Sequence, residues 1–290
     1  MTIRIGISGW RYEGWRGAFY PPGLAQSREL AFASRAVETI EINGTHYSLQ
    51  SLRSFRAWHD ATPDDFVFSV KGSRYLTHML RFRDETAVPA IANFFASGVL
   101  ALGPKLGPFL WQFPPTFSFD AERIERFLAL LPMRTDAAVA LAKHHDARVK
   151  EPWLDASHDR PLRHAIEIRH PSFCVPAFVA MLRRHRVALV ISDAVADWPY
   201  AEDVTADFLY LRLHGTETLY GGAYADPALD RWAARIDAWA AGRQPDDAVR
   251  IARARPPARK HRDVFCYFDN DQKVKAPFDA QRLASRLAGR

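Results

Sequence analysis

The chain has 290 residues, 48% of them hydrophobic, and two cysteines, Cys174 and Cys266. That length and apolar content suit one large domain with a sizeable core, and two thiols with neither CxxC spacing nor paired histidines argue against a disulfide scaffold or a structural zinc. The formal net charge of +6 is a modest excess, and no apolar run reaches the ~18–20 residues that a membrane span needs.

The opening residues, MTIRIGIS, carry no basic region followed by a long apolar stretch. They read as a strand over 3–8 rather than a signal peptide, and the expected location is the cytoplasm. Apolar residues at helical spacing over 27–37 predict a helix, followed by strands at 39–43 and 66–71. A helix at 89–102 leads to a strand at 109–113, and a helix at 121–131 precedes a strand at 165–169. Next come a helix at 176–185 and strands at 188–193 and 208–214. A helix at 226–241, a strand at 264–268 and a helix at 278–287 complete the pattern. No long Gly/Ser or Pro-rich linker interrupts it, so 1–290 is expected to be a single domain.

Strands alternating with helices imply a parallel α/β sheet with crossover connections. Eight strands fit closure into a (β/α)8 barrel of the TIM type, a fold that commonly uses ~250 residues. An open doubly wound sheet is the runner-up, but the turn Gly6-Ile7-Ser8-Gly9-Trp10 does not match the GxGxxG of that fold.

Strand side chains alternate between faces. Ile40 and Ile42 oppose Glu41 and Asn43; Ile166 and Ile168 oppose Glu167 and Arg169; Leu211 and Leu213 oppose Arg212 and His214. Lys71 shares a face with Ser69, Gln112 lies between Trp111 and Phe113, and Asp193 ends the sixth strand. Helices cover the outside of such a barrel, so the polar set is expected to face the axis, at the C-terminal mouth where these barrels place catalysis. For any one residue, an ion-pair network that merely closes the barrel is an even alternative. The whole ring costs desolvation that apolar residues would avoid, which weakens that alternative. Aromatic residues follow the strands: Trp10, Tyr12 and Trp15 after the first, Tyr47 after the second, Tyr75 after the third, Tyr220 and Tyr224 after the seventh. Arg74 and His78 accompany Tyr75. Such walls suit sugars, bases or other ring-shaped ligands.

One segment stands apart. Residues 250–262, IARARPPARKHR with the preceding Arg250, carry Arg250, Arg253, Arg255, Arg259, Lys260 and Arg262 and no acid. A run of this kind meets nucleic acid or another polyanion, although a solvated, mobile loop is the commoner explanation, and no helix-turn-helix, RNA-recognition or zinc-finger pattern accompanies it.

These residues also resemble a known family. GISGWRYEGWRGAFYPP, ETIEINGTHY, FVFSVKGSRYLTH, LGPFLWQFPPTF, AIEIRHPSF, VISDA, YLRLHG and CYFDND occur in the order of the YecE-like family, domain of unknown function 72, over roughly 3–287. The resemblance implies a TIM-barrel-like fold and brings no settled activity. Its pattern maps onto Ser8, Gly9, Trp10, Trp15, Glu41, Asn43, Tyr47, Lys71, His78, Gln112, Pro115, Glu167, Arg169, Pro171, Asp193, Arg212, His214, Tyr267 and Asn270. Two departures stand out. Asp269 occupies a position where the family usually has Asn, and the stretch at about 243–262 looks like a basic insertion.

Three functions are expected to compete. The leading one is a cofactor-independent hydrolase or isomerase that applies acid–base chemistry to a polar or anionic small molecule, a sugar or a phosphate ester. Glu167, Asp193, Lys71, His214 and Glu41 are its catalytic candidates, with the two acids of strands five and six perturbing one another and His214 shuttling protons. Trp10, Asn43, Tyr47, Arg74, His78, Gln112, Arg169, Arg212, Tyr267 and Asn270 are its substrate-binding candidates. The second is a divalent-metal-assisted phosphoesterase or isomerase, of the xylose-isomerase or abasic-endonuclease type, using Glu41, Glu167, Asp193, His214 and Asp269. Against it, Lys71, Arg169 and Arg212 repel a cation, no HxH or HExxH motif is present, and no metal ligand is assigned. The third is a non-catalytic binder of nucleic acid or a phosphorylated ligand, with 250–262 as an outer contact. A Schiff-base role for Lys71 and a nucleophilic role for Ser8 rank lower. No membrane association is expected, and the sequence sets no oligomeric state.

Overall fold

A computed structural model describes residues 1–83, 86–194, 197–215, 219–271 and 274–288. Its strands are β1 (Ile3–Ser8), β2 (Thr39–Ile42), β3 (Val67–Lys71), β4 (Leu106–Gln112), β5 (His164–Glu167), β6 (Ala188–Asp193), β7 (Phe208–Leu213) and β8 (Asp263–Phe268). They close into a parallel barrel in sequence order. The helices are α1 (Glu29–Ala36), α2 (Gly44–Tyr47), α3 (Leu52–Ala61), α4 (Ala87–Ala96), α5 (Ala121–Leu130), α6 (Thr135–Ala142), α7 (Pro176–His185), α8 (Asp226–Ala240) and α9 (Lys275–Ala288). The (β/α)8 expectation holds.

Local chemistry sets several boundaries. Asp120 caps α5 by accepting from the Arg123 N–H at 3.1 Å, and Ser51 caps α3 by accepting from the Ser54 N–H at 3.2 Å. Proline opens α7, and Arg186 closes it in the left-handed region. The apolar run expected as one helix over 89–102 is instead α4 and a 3₁₀ turn, Val99–Lys105, divided at Gly98. Gly98 has φ 114°, and a Cβ there would lie 2.7 Å from the Leu52 Cα, so only glycine fits. That pair is bent by 53°, and no single helix among the described residues is long and apolar enough to cross a membrane. Cys174 is exposed, Cys266 is buried, and neither is in a disulfide.

The chain groups into two compact units, Met1–Glu41 with Phe173–Arg290, and Ile42–Ser172. In the first, β1 runs beside both β2 and β8, with Ser8 opposite Glu41 and Gly6 opposite both Thr39 and Tyr267. A Cβ on Gly6 would lie 1.8 Å from the Thr39 carbonyl oxygen, so this close approach requires glycine. β7 pairs Arg212 with Tyr267 of β8 and with Ser192 of β6. Parallel partners share a face, so Ser8, Glu41, Arg212 and Tyr267 point inward. Leu213, Phe268 and Asp193 share the outer face, where α8 and α9 pack on β8.

In the second unit, the outer side chains of β4 are aromatic. Trp111 packs on Phe94 of α4 and Phe127 of α5, with ring centroids 5.5 Å away in each case. Its Nε1 donates to His164 Nδ1 at 3.1 Å, and His164 Nε2 donates to the Pro132 carbonyl at 2.8 Å. Burial pushes His164 down to about 4, so this core imidazole is neutral. Gly72 leaves room for the indole, since a Cβ there would be 2.2 Å from it. With Trp111 outward, Gln112 and Glu167 lie opposite each other on the inner face.

Candidate functional site

In the first unit, three side chains, of Ser8, Tyr210 and Arg212, converge on Glu41. Its carboxylate accepts from Ser8 Oγ at 2.8 Å, from Tyr210 Oη at 2.7 Å, and from Arg212 Nε at 3.1 Å and Nη2 at 3.0 Å. Glu41 is 0% exposed and Arg212 1%. Arg212 Nη2 also donates to Asp269 Oδ2 at 2.7 Å, and His214 Nδ1 lies 3.0 Å from the same oxygen. The other ring nitrogen, Nε2, is 3.4 Å from Arg212 Nη1. A guanidinium can only donate, so Nε2 accepts from Arg212. His214 is fully buried beside Asp269.

The chain beyond β8 adds a carboxyl that alternation did not single out. Burial first, and the neighbouring Asp269 charge second, push Asp271 up to about 6; Tyr12 and the Arg212 charge oppose them. The Tyr12 hydroxyl donates to the Ser8 carbonyl at 2.5 Å. Burial and the charges of Asp269, Asp271 and Glu41 hold that phenol well above its usual range, with Arg212 opposing, so it stays protonated. Its one proton is committed to a carbonyl that can only accept. Trp15 Nε1 fixes the backbone here by donating to the Asp271 carbonyl at 3.1 Å. Two carboxyls two residues apart are thus held differently, Asp269 ion-paired with Arg212 and Asp271 as a half-buried acid raised to about 6. CYFDND contained both, but strand alternation stops at Phe268 and gives no direction for the turn that follows.

Other expected site residues of this unit serve the fold. Tyr267 Oη lies 3.0 Å from Thr39 Oγ1 inside the barrel. Asn270 Nδ2 donates to the Gly222 carbonyl and to Asp279 of α9, both at 2.9 Å. Trp10 is 7% exposed, and its carbonyl accepts from Tyr20 Oη at 2.5 Å. The expectation that Asp193 joins the inward ring is corrected. It pairs in register with outward Leu213, its carboxylate accepts from Tyr224 Oη at 3.1 Å, and burial raises its pKa, with the Tyr224 and Trp232 bonds opposing. A terminal strand residue was assigned to a face by its polarity, whereas the register decides.

The second unit gathers cations. Lys71 ends β3, and its carbonyl accepts from Thr45 Oγ1 at 2.7 Å. His46 of α2, a residue sequence reasoning passed over, donates from Nδ1 to the Gly72 carbonyl at 2.8 Å. Burial, then Lys71, push it down to about 3. His78 sits on a π-helix, Tyr75–Leu80, a rare form that recurs at functional sites. Arg81 and Phe82, which close it, both have positive φ, 51° and 54°, a strained backbone for non-glycine residues. Thr77 Oγ1 donates to the Ser73 carbonyl at 3.3 Å, so His78 Nδ1 donates to Thr77 Oγ1 at 2.8 Å. Burial pushes His78 down to about 4, followed by Lys71, Arg74, Arg169 and Arg81. Both imidazoles, 5.1 Å apart, are neutral at pH 7 and turn Nε2 lone pairs away from their Nδ1 partners. Arg169 Nε and Nη2 both lie 2.8 Å from Glu167 Oε1, and this acid is fully buried. Gln112 is buried, Asn43 half-buried at the start of α2, and Arg74 and Tyr47 exposed. The donors of the metal-assisted reading form no group of three or more His, Cys, Asp or Glu ligands among the described residues.

The sequence matches the model of DUF72, described as a protein of unknown function, over residues 4–290. It is 30% identical to UPF0759 protein YunF of Bacillus subtilis over 128 residues, spanning 42% of this chain and 43% of YunF; the matched part is less than half of that curated relative. The fold is similar to that of a DUF72 family protein from Thermotoga maritima, with a TM-score of 0.71 and 22% identity over 99% of this chain and all of that one. A DUF72 family protein from Enterococcus faecalis is similar at a TM-score of 0.68, with 17% identity over 99% of this chain and 96% of that one.

Proposed function

The chain belongs to the DUF72 family, and from that premise we propose that it is a hydrolase or isomerase that applies acid–base chemistry to a polar, anionic small molecule of the sugar or phosphate-ester class. The observation that carries the reading is the pair of unlike carboxyls after β8. Asp269 is ion-paired with Arg212 at 2.7 Å, while burial and the Asp269 charge raise Asp271 to about 6. Two carboxyls pushed apart in proton affinity divide the roles of acid and base. Asp271 gives a proton to a departing or developing oxygen, and Asp269, beside His214, takes one or stabilises positive charge. The second unit, taken by itself, favours an anion near His78, since the charges acting on that imidazole are all positive. The neutral His46 and His78 suit a ligand that also carries a hydroxyl donor.

The test is a panel of sugar phosphates, other phosphate monoesters and uncharged glycosides, assayed with wild type, Asp271→Asn and Asp269→Asn. Turnover that falls by the ~10²–10⁴ typical of a lost general acid or base in both variants is expected. In parallel, inorganic phosphate should raise the titration midpoint of His78 followed by NMR, because an anion favours the imidazolium. Turnover untouched by both substitutions, or none on any substrate together with an unmoved His78, overturns the reading.

A further inference from the structure

The basic stretch 250–262 is held in place. It contains no helix or strand, yet buried carboxylates grip its backbone. Asp203, 1% exposed, accepts from the Ile251 N–H at 2.6 Å and the Ala252 N–H at 3.0 Å. Glu202, 0% exposed, accepts from the Val249 N–H at 2.7 Å and returns its own N–H to the Val249 carbonyl at 2.7 Å. Arg183 Nη2 donates to the Ala254 carbonyl at 3.4 Å. Farther along, Gly242 admits the Arg259 backbone so closely that a Cβ would fall 1.9 Å from its carbonyl oxygen. The solvated, mobile loop expected of such a run is instead a fixed strap.

Its side chains point to solvent without neutralisation. Arg250, Arg253, Arg255, Arg259 and Lys260 are all exposed, and none forms an ion pair among the described residues. Exposed arginines elsewhere behave differently: Arg134 pairs with Asp159, and Arg282 pairs with Asp226. Beneath the strap, Arg262 is 2% exposed, and its Nη2 donates to the Pro257 carbonyl at 2.6 Å. Its Nε and Nη1 have no acceptor among the described residues. Burial, then the Arg259 charge, depress its pKa. An uncompensated buried charge is costly, and an anion laid over the strap lowers that cost. The end of α7 extends the patch, with Arg183 beside Arg250 and with Arg184 and Arg186 exposed.

We infer that this strap and the C-terminal turn of α7 bind the phosphate backbone of a nucleic acid. Both lead into the starts of strands, β8 and β6, the opposite strand ends from Asp269 and Asp271, so the inference stands apart from the proposed chemistry. Arginine predominates over lysine in the strap, and its planar fork matches phosphate oxygens two at a time. A membrane-surface segment would be an amphipathic helix with bulky apolar residues; this one is irregular and built from Ala, Pro and Arg. No element enters a groove, so binding is expected to follow charge rather than base sequence.

Fluorescence anisotropy of the full chain with a short labelled duplex and the matching single strand tests this. Neutralising about five phosphates of the duplex gives a log–log salt slope near −4.5, a loss of roughly 500-fold between ~50 and ~200 mM salt. The triple variant Arg253→Ala/Arg255→Ala/Arg259→Ala, all exposed side chains, should keep the wild-type melting temperature and make that slope shallower by about three. Binding indifferent to salt or to the triple variant overturns the inference, as does no binding to either oligonucleotide at ~50 mM salt. Retention on phosphatidylserine vesicles without binding to either oligonucleotide also overturns it and assigns the patch to a membrane surface.

Discussion

The Glu41–Arg212 cluster of the first unit and the His46–His78 cluster of the second are both built at strand ends from residues that water would readily hold. They are balanced in opposite ways. Around Glu41 each donor has an acceptor, and one guanidinium answers two carboxylates. Around His78 cations accumulate, and burial first and those charges second strip the imidazoles of their protons. A cluster whose bonds are made within itself holds Asp269 in place and has much to lose on disruption. An unsaturated one costs little when altered and has an electrostatic demand that a ligand can meet. Stability and recognition are thus divided between polar groups that look alike in a sequence.

The largest effect expected from that contrast is at Arg212. Arg212→Met strands two acids in the barrel and should cost ~3–5 kcal/mol in urea denaturation; the double variant with Glu41→Leu should recover part of it. A single-variant cost below ~1 kcal/mol would mean the cluster is not closed.

Acid should act on the other cluster. An unfolded imidazole titrates near 6.5, against about 3 for His46 and about 4 for His78 in the fold. Between those values the folded state binds fewer protons, so stability falls as pH drops from ~6.5 toward ~4. His46→Gln should remove roughly 2 kcal/mol of that loss, read from urea midpoints at pH 7 and 4.5. Parallel pH profiles for variant and wild type would contradict the assignment.

Asp271 reverses the sign. Its folded value of about 6 lies above the ordinary 3.8, so the folded state binds more protons between them, and its contribution to stability declines as pH rises through that window. Discounted for partial exposure, Asp271→Asn should gain about 1 kcal/mol at pH 8 and nothing below pH ~4. A gain that ignores pH would tie the effect to packing.

The smallest change sharpens the contrast most. Arg74 is exposed, so Arg74→Ala should alter stability by less than ~0.5 kcal/mol. It should nevertheless weaken phosphate binding several-fold and move the His78 midpoint upward.

Much of this was legible beforehand. The eight strands follow from short β-branched runs, and the inward direction of Glu41, Arg212 and Gln112 follows from alternation. What escaped depends on facts alternation does not hold. Asp193 belongs to the outer face because of its register with Leu213. α3 escaped because it buries a single residue, Phe55, and α6 because its apolar residues, AAVALA, run together instead of recurring at helical spacing. Asp271 and the Tyr12 hydroxyl lie in turns, and His46 was hidden in a motif whose neighbours drew attention. Their roles come from which carbonyl each proton is given to, which only the folded backbone specifies.

The closure of β1 onto β8 has a consequence for the making of the protein. Thr2 donates its N–H to Asp263 Oδ1 across 261 positions of sequence, and five residues of β1 pair with β8. At the usual pace of ~5–20 residues per second, β1 waits roughly ten to fifty seconds for β8 to be made. Throughout that interval IRIGIS carries an unpaired apolar edge, the kind that seeks other strands. Synthesis speed and chaperone access, more than final stability, are what guard this barrel's first strand.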